Sequence, residues 1–130
     1  MNVPHVPILS PEQLPISLST PLDGRSKTLV RDLINPYGFV VFRGYDVSSD
    51  QEFHDFIECF GLPNFTYAES FSNAVRRNRT PRVFTANEAP PEIEIFLHHE
   101  MAQTLVFPGQ LFFFCAVSYT HLRAHETFHD

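Results

Sequence analysis

The spacing of apolar residues predicts two amphipathic helices in the first half of the chain. The first covers residues 25–34 and is expected to stop at Pro36, because proline cannot continue a helix. The second begins at Ser49, since Ser49 and Glu52 have the spacing of a capping box. It is expected to run to Phe60 and to end there, where a glycine and a proline follow. Its apolar face consists of Phe53, Phe56, Ile57 and Phe60.

Short apolar or alternating stretches predict the strands. The continuous apolar run at residues 37–42 is typical of a buried strand, and residues 111–115 form a second, Phe-rich run. Residues 91–97 alternate charged and apolar side chains, which favours a strand with one buried face. The first 24 residues are rich in proline and are expected to be mostly irregular. Shorter strands are predicted at residues 6–9, 65–67 and 82–85.

The composition indicates a small globular domain. Apolar residues make up 43% of the 130 residues, which excludes a disordered chain. A net charge of −6 argues against a nucleic-acid-binding surface, and the short cluster at residues 76–79 predicts a solvated loop or an anion contact. Two cysteines fit a reducing, cytoplasmic compartment better than a secreted one. The sequence contains no signal-peptide pattern and no apolar run long enough for a membrane span, so we expect no membrane partner.

Directly after the alternating run, His98 and Glu100 are separated by a single residue. On a strand, residues two apart share a face, so this pair would point to one side and His99 to the other. An imidazole and a carboxylate on one face are two of the three ligands of a 2-His-1-carboxylate triad, which holds non-haem Fe(II). The alternative interpretation is an edge strand that carries three polar residues into water. The pair by itself does not decide between the two.

Several separated blocks of the sequence, taken in order, resemble the TauD/TfdA family and, within it, the clavaminate synthase-like proteins. The resemblance covers roughly residues 25–115. The blocks are Gly38–Tyr45, the capped helix with Gly61, Arg82–Glu88, Phe96–Gln103 and Leu111–Cys115. The resemblance implies an α+β protein that forms the N-terminal part of a double-stranded β-helix, or jelly roll. The two amphipathic helices would flank an incomplete barrel.

The resemblance also implies a function. Family members are Fe(II)- and 2-oxoglutarate-dependent dioxygenases, which use O₂ to oxidise a C–H bond of a small-molecule substrate. Carried over to this sequence, His98 and Glu100 are iron ligands and His99 is not. The candidates for lining a substrate pocket beside them are Thr85, Asn87, Met101 and Gln103.

The end of the sequence departs from the family pattern. The resemblance implies a Gly-Gly-Glu-Thr block after a strand such as residues 111–115, followed much later by a second histidine and an arginine that anchors 2-oxoglutarate. None of these features is found, and residues 116–130 are interpreted as a non-native tail. Residues 125–129 fit the zinc-protease pattern H-E-x-x-H, but that motif needs a third ligand and a cleft, so we assign the match to chance.

These patterns divide the chain into a Pro-rich segment at 1–24, a partial dioxygenase domain at 25–115 and the tail at 116–130. Because only two of the three iron ligands are identified in the sequence, we expect this chain to be inactive by itself. The alternative is a non-catalytic binding or interaction module, or the product of a degenerate gene. The residues that would bind 2-oxoglutarate, the particular substrate and the oligomeric state do not follow from the sequence.

Overall fold

The computed structural model describes residues 5–65, 76–86, 90 and 92–116. The chain divides into two compact units, Met1–Leu62 and Pro63–Asp130. Among the described residues, the helices and strands lie in the first unit, in the order β1 (Ile8–Leu9), α1 (Gly24–Tyr37), β2 (Val41–Phe42) and α2 (Asp50–Glu58). No helix within the described ranges has the length and the apolar character needed to cross a membrane.

Helix α1 begins where the sequence predicts, and it ends later than predicted. The Asp23 carboxylate accepts a hydrogen bond of 2.7 Å from the Ser26 backbone N–H, and this bond holds the pKa of Asp23 below its usual value. The prediction that Pro36 stops the helix was wrong, because α1 continues through Pro36 to Tyr37. So close to the end of a helix a proline removes little hydrogen bonding. The helix ends instead at Gly38, whose left-handed backbone (φ 79°) lets its N–H donate to the Ile34 carbonyl.

Helix α2 confirms the predicted capping box. The Ser49 hydroxyl accepts from the Glu52 backbone N–H at 3.1 Å, and Glu52 Oε2 accepts from the Ser49 N–H at 3.1 Å. The same carboxylate oxygen accepts from the Ser48 N–H at 2.7 Å, and this bond makes the largest contribution to lowering the pKa of Glu52. The helix buries Phe56 and Ile57, so the predicted apolar face is the one that packs inward.

The first unit is held together by a short sheet and an aromatic cluster. Strands β1 and β2 pair in parallel, with Leu9 opposite Phe42, but each is only two residues long. The prediction of longer strands at residues 6–9 and 37–42 was therefore right in place and wrong in extent. Ring centroids in the aromatic cluster lie 5.3 to 5.8 Å apart. The members of the cluster are Phe42, Tyr45, Phe56 and Phe60.

The Pro-rich segment contributes buried side chains to the core of the first unit. Leu9, Leu14 and Leu22 are buried. The Tyr45 hydroxyl lies 2.7 Å from the Leu14 carbonyl and 3.1 Å from the Ser10 carbonyl, and so ties the segment to the aromatic cluster. The segment is mostly irregular, as predicted.

The longer strands predicted in the second unit were wrong for the residues that the structure describes. Residues 92–99 are exposed and lie outside any strand, with a turn at residues 92–93, and residues 111–115 lie in no strand either. The strand predicted at 82–85 is reduced to one antiparallel bridge between Asn78 and Phe84. A strand forms only with a hydrogen-bonded neighbour, which the apolar pattern of a stretch does not specify. The described residues do not show the jelly roll that the resemblance implies, and their α+β character comes from α1, α2 and the two-stranded sheet.

Two sequence predictions fall on residues outside the description. The strand at residues 65–67 is covered only at Phe65, which lies in no strand. The tail at 116–130 is covered only at its first residue, Ala116. The non-native origin of the tail and the domain boundaries at 24 and 115 stay predictions.

Candidate metal centre

A small hairpin at residues 77–85 forms the base of the candidate site. The Arg77 backbone N–H donates to the Thr85 hydroxyl and the Thr85 N–H donates to the Arg77 carbonyl, each at 2.9 Å. The turn is closed by the Arg79 N–H, which donates to the Val83 carbonyl at 2.7 Å, and Val83 itself is buried. Arg76 therefore directly precedes Arg77, the first hydrogen-bonded residue of the hairpin.

A tight turn after His99 fixes the backbone of Glu100. The Ala102 N–H donates to the His99 carbonyl at 3.2 Å, and the Thr104 N–H donates to the Met101 carbonyl at 3.0 Å. Met101 has a left-handed backbone (φ 58°), which is uncommon for a residue with a side chain, and it is 3% exposed. Burial of the Met101 side chain at the centre of the turn fixes the backbone from which the Glu100 side chain extends.

The structure brings His98 and Glu100 together. His98 Nε2 lies 3.9 Å from Glu100 Oε2, although the stretch is an irregular segment running into a turn and not the predicted strand. The Glu100 side chain is 18% exposed and the His98 side chain 57% exposed. The side-by-side placement expected from alternation is thus reached through the turn, with the carboxylate shielded and the imidazole accessible.

A backbone contact sets the tautomer of His98. Its Nδ1 lies 2.7 Å from the Phe96 carbonyl oxygen. A carbonyl oxygen only accepts, so in the neutral imidazole the ring proton is on Nδ1 and Nε2 carries the lone pair. That lone pair and a carboxylate oxygen then lie close together on neighbouring side chains, an arrangement that a shared cation or proton would stabilise.

Arg76 is the residue near this pair whose role sequence reasoning did not identify. Its Nη2 lies 3.1 Å from Glu100 Oε1, and the two side chains are 17% and 18% exposed. The sequence predicted either a solvated loop or an anion contact for the cluster at residues 76–79. Arg76 makes an anion contact, and the anion is the Glu100 carboxylate of the same chain. No local pattern could have indicated this, because 24 positions separate the partners.

The other predicted site residues are less directly placed. The His99 ring packs edge-on against Phe107, with centroids 5.7 Å apart, and its Nδ1 lies 2.9 Å from the Glu100 carbonyl oxygen. The Thr85 hydroxyl accepts a backbone hydrogen bond within the hairpin, and Gln103 is exposed. Asn87 lies outside the described residues. Pocket roles for Thr85, Asn87, Met101 and Gln103 stay predictions.

The two donor atoms fit one cation, and the third ligand is missing from the part of the chain that the structure describes. A cation bound by nitrogen and oxygen donors has bonds of about 2.1 Å, so atoms 3.9 Å apart can both reach it. For neighbouring positions on one face of an octahedral site, the two atoms must approach to about 3.0 Å. Within the described ranges no group of three or more histidine, cysteine, aspartate or glutamate side chains could hold a metal ion. His98 and Glu100 therefore supply at most two corners of a metal site here.

Comparison with known proteins gives one family and two relatives. Residues 4–120 match the family model described as taurine catabolism dioxygenase TauD, TfdA family. A clavaminate synthase-like protein of Arabidopsis thaliana is 40% identical over 121 residues, which cover 88% of this chain. The dapdiamide synthesis protein DdaC of Enterobacter agglomerans is 28% identical over 86 residues, which cover 65% of this chain.

Both relatives are much longer than the region they share with this chain. The match covers 36% of the clavaminate synthase-like protein and 25% of DdaC. No solved structure matches the chain significantly. The family match at residues 4–120 covers most of both units of the structure and includes the candidate metal centre.

Proposed function

This chain belongs to the taurine catabolism dioxygenase TauD, TfdA family, and we propose that it carries part of a catalytic domain. The proposed enzyme is an Fe(II)- and 2-oxoglutarate-dependent dioxygenase. His98 and Glu100 are the proposed iron ligands, and His99 is proposed not to be one. When bound, Fe(II) would activate O₂, which is the oxidant, and 2-oxoglutarate would supply electrons for that activation, so that a substrate C–H bond could be oxidised.

One observation carries the assignment of ligands. The Nε2 lone pair of His98 and the Glu100 carboxylate lie 3.9 Å apart within a family whose name denotes dioxygenases. Imidazole nitrogen and carboxylate oxygen are the donor types of non-haem iron sites. The hydrogen bond from Nδ1 to the Phe96 carbonyl fixes the tautomer that such a site requires.

The residues on this chain would bind and orient rather than perform the oxidation. Glu100 would supply a shielded negative charge for the cation, and His98 would supply a neutral donor from a more exposed position. A third protein ligand and an anchor for 2-oxoglutarate are needed to complete the site, and the described residues bring together only the first two donors. We therefore propose that the chain binds metal weakly by itself and does not turn over substrate.

The names of the relatives bear on the substrate. One is a dapdiamide synthesis protein and the other a clavaminate synthase-like protein, and both names refer to small molecules. A small organic molecule is accordingly the proposed substrate class. This part of the proposal rests on relatives of which the chain covers only 36% and 25%.

The test is a titration of the chain with Fe(II) in the absence of oxygen. NMR signals of the histidine ring nitrogens are recorded at each step of the titration. These signals separate His98 from the other histidines, so weak binding elsewhere on the chain does not interfere. We expect selective broadening of the His98 signal, loss of that effect in Glu100→Ala, and retention of it in the matched control His99→Ala. Equal broadening of all histidines, unchanged by Glu100→Ala, would contradict the ligand assignment and favour the non-catalytic binding module.

A further inference from the structure

We infer that Arg76 is a positioning residue for the candidate metal centre, which holds Glu100 so that one chosen carboxylate oxygen faces His98. This inference rests on the proposed function, because it gives Arg76 a role toward the same cation. It concerns a residue outside the His-x-Glu pair, one that precedes Glu100 by 24 positions.

The two oxygens of Glu100 have different neighbours. Oε1 lies 3.1 Å from Arg76 Nη2, and Oε2 lies 3.9 Å from His98 Nε2. A guanidinium on one oxygen fixes the plane of the carboxylate and selects the other oxygen as the one presented to the imidazole. The expected result is a carboxylate that ligates a cation through Oε2 alone.

Burial makes this contact more effective than an ordinary surface ion pair. The Arg76 and Glu100 side chains are 17% and 18% exposed, whereas exposed pairs are weakened by water and salt. Arg76 also starts from a fixed point, since the next residue is bonded in both directions to Thr85. The guanidinium is therefore held by the hairpin at one end and by the carboxylate at the other.

Positioning matters here because a glutamate side chain is flexible. Glutamate has three rotatable bonds, and each must be fixed before the carboxylate can ligate a cation beside His98. The exposed side chain of His98 gives Glu100 little lateral support. A partner that restrains the carboxylate before the metal arrives removes that entropic cost from the binding step.

Charge acts in the opposite direction, and this makes the inference testable. A guanidinium close to a divalent cation repels it, so an Arg76 that acted only through charge would weaken metal binding. Positioning predicts that loss of Arg76 weakens binding, by about 10- to 100-fold for a group that orients a ligand. Charge repulsion predicts that loss of Arg76 strengthens binding.

The experiment measures Fe(II) affinity at the His98 signal under anaerobic conditions for Arg76→Gln and Arg76→Lys. Positioning predicts weaker binding in both variants, because lysine keeps the charge but loses the planar fork of the guanidinium. The control is Arg31→Gln, which also removes one arginine charge but from an exposed pair with Asp32 (side chains 66% and 63% exposed). Unchanged or tighter binding in Arg76→Gln, relative to Arg31→Gln, would overturn the inference.

Two further readouts separate positioning from a general loss of structure. In the metal-free chain, the three-bond couplings of Glu100 should indicate one side-chain rotamer, and in Arg76→Gln they should average. In the metal-induced infrared difference spectrum, the separation between the two carboxylate stretching bands should narrow in Arg76→Gln as both oxygens become able to ligate. Averaged couplings already present in the parent chain, or an unchanged band separation, would count against the inference.

The same measurements distinguish failure of the inference from failure of the proposed function. If Glu100→Ala leaves the Fe(II) effect at His98 unchanged, the metal site itself is wrong, and the role of Arg76 toward it is wrong as well. If Glu100→Ala removes the effect and Arg76→Gln matches Arg31→Gln, the metal site stands and only the role of Arg76 is overturned.

Discussion

At the residue scale, Tyr45 is the residue that joins the irregular N-terminal segment to the aromatic cluster. Its ring packs on Phe42 and Phe56, and its hydroxyl lies within hydrogen-bond distance of the Ser10 and Leu14 carbonyls. A single side chain thus combines apolar packing with a long-range hydrogen bond. The hydroxyl can be removed by substitution while the aromatic ring is kept.

We expect Tyr45→Phe to lower the free energy of unfolding by about 1 kcal/mol, the usual net contribution of a hydrogen bond. The ring stays in the cluster, so the loss reports the hydroxyl alone. Urea unfolding followed by circular dichroism measures it. The control is Tyr37→Phe, which removes a hydroxyl from a residue that is 42% exposed. Equal effects in the two variants would contradict a special role for Tyr45.

The hydroxyl of Tyr45 also predicts a dependence on alkaline pH. Burial, with a smaller contribution from the charge of Glu12, raises the pKa of Tyr45 above its usual value. A raised pKa in the folded state means that the contribution of Tyr45 to stability is complete below the unfolded value of about 10 and is lost as the pH rises through the folded value. The difference in unfolding free energy between the parent chain and Tyr45→Phe should therefore shrink above about pH 10. A difference that grows with pH would contradict the sign.

At the scale of the element, helix α2 is specified largely by its own local sequence. Its N-terminus has a reciprocal capping box, and its inward face presents Phe56 and Ile57 at adjacent positions. The box bonds two backbone N–H groups that a helix otherwise leaves to water. The start of this helix is consequently set by Ser49 and Glu52, independently of the packing of its far end.

We expect Ser49→Ala to lower the free energy of unfolding by about 0.5–2 kcal/mol, because the Glu52 N–H loses its side-chain acceptor. The matched control is Ser49→Asp, which keeps an oxygen acceptor at the cap and should stay close to the parent chain. Urea unfolding of the three chains measures the difference. Equal loss in both variants would mean that the hydroxyl contributes through some contact other than the cap.

At the scale of the whole molecule, the second unit carries large apolar side chains in water. Leu97 and Leu105 are fully exposed, and Phe113 is 85% exposed. Exposed apolar side chains of this size favour association. Residues 111–115 alternate between exposed and half-buried side chains, which is the side-chain pattern of a strand.

We expect the chain to self-associate and to bind an apolar dye, and we expect Leu97→Gln with Phe113→Gln to reduce both effects. The physical reason is the removal of exposed apolar area at the two positions. Sedimentation velocity over a range of protein concentrations measures association. The control is Leu29→Gln, at a residue that is only 38% exposed. A parent chain that stays monomeric and binds no dye would contradict the prediction.

The sequence by itself determined the features that depend on near neighbours. The capping box of α2 and the start of α1 follow from hydrogen bonds between residues three apart. The approach of His98 to Glu100 is local as well, since residues two apart can share a side in an extended chain or a turn. Such contacts need only a few torsion angles to be fixed, so residue type and spacing are sufficient to predict them.

Tertiary structure decided the features that depend on a distant partner. The parallel pairing of Leu9 with Phe42, the bond from Tyr45 to Leu14 and the ion pair of Arg76 with Glu100 all join residues far apart in the chain. The strands predicted at 91–97 and 111–115 also depend on a distant partner, because an apolar pattern within one stretch does not specify the strand beside it. Spacing along the sequence fixes which way a side chain points, and only the folded chain fixes what it meets.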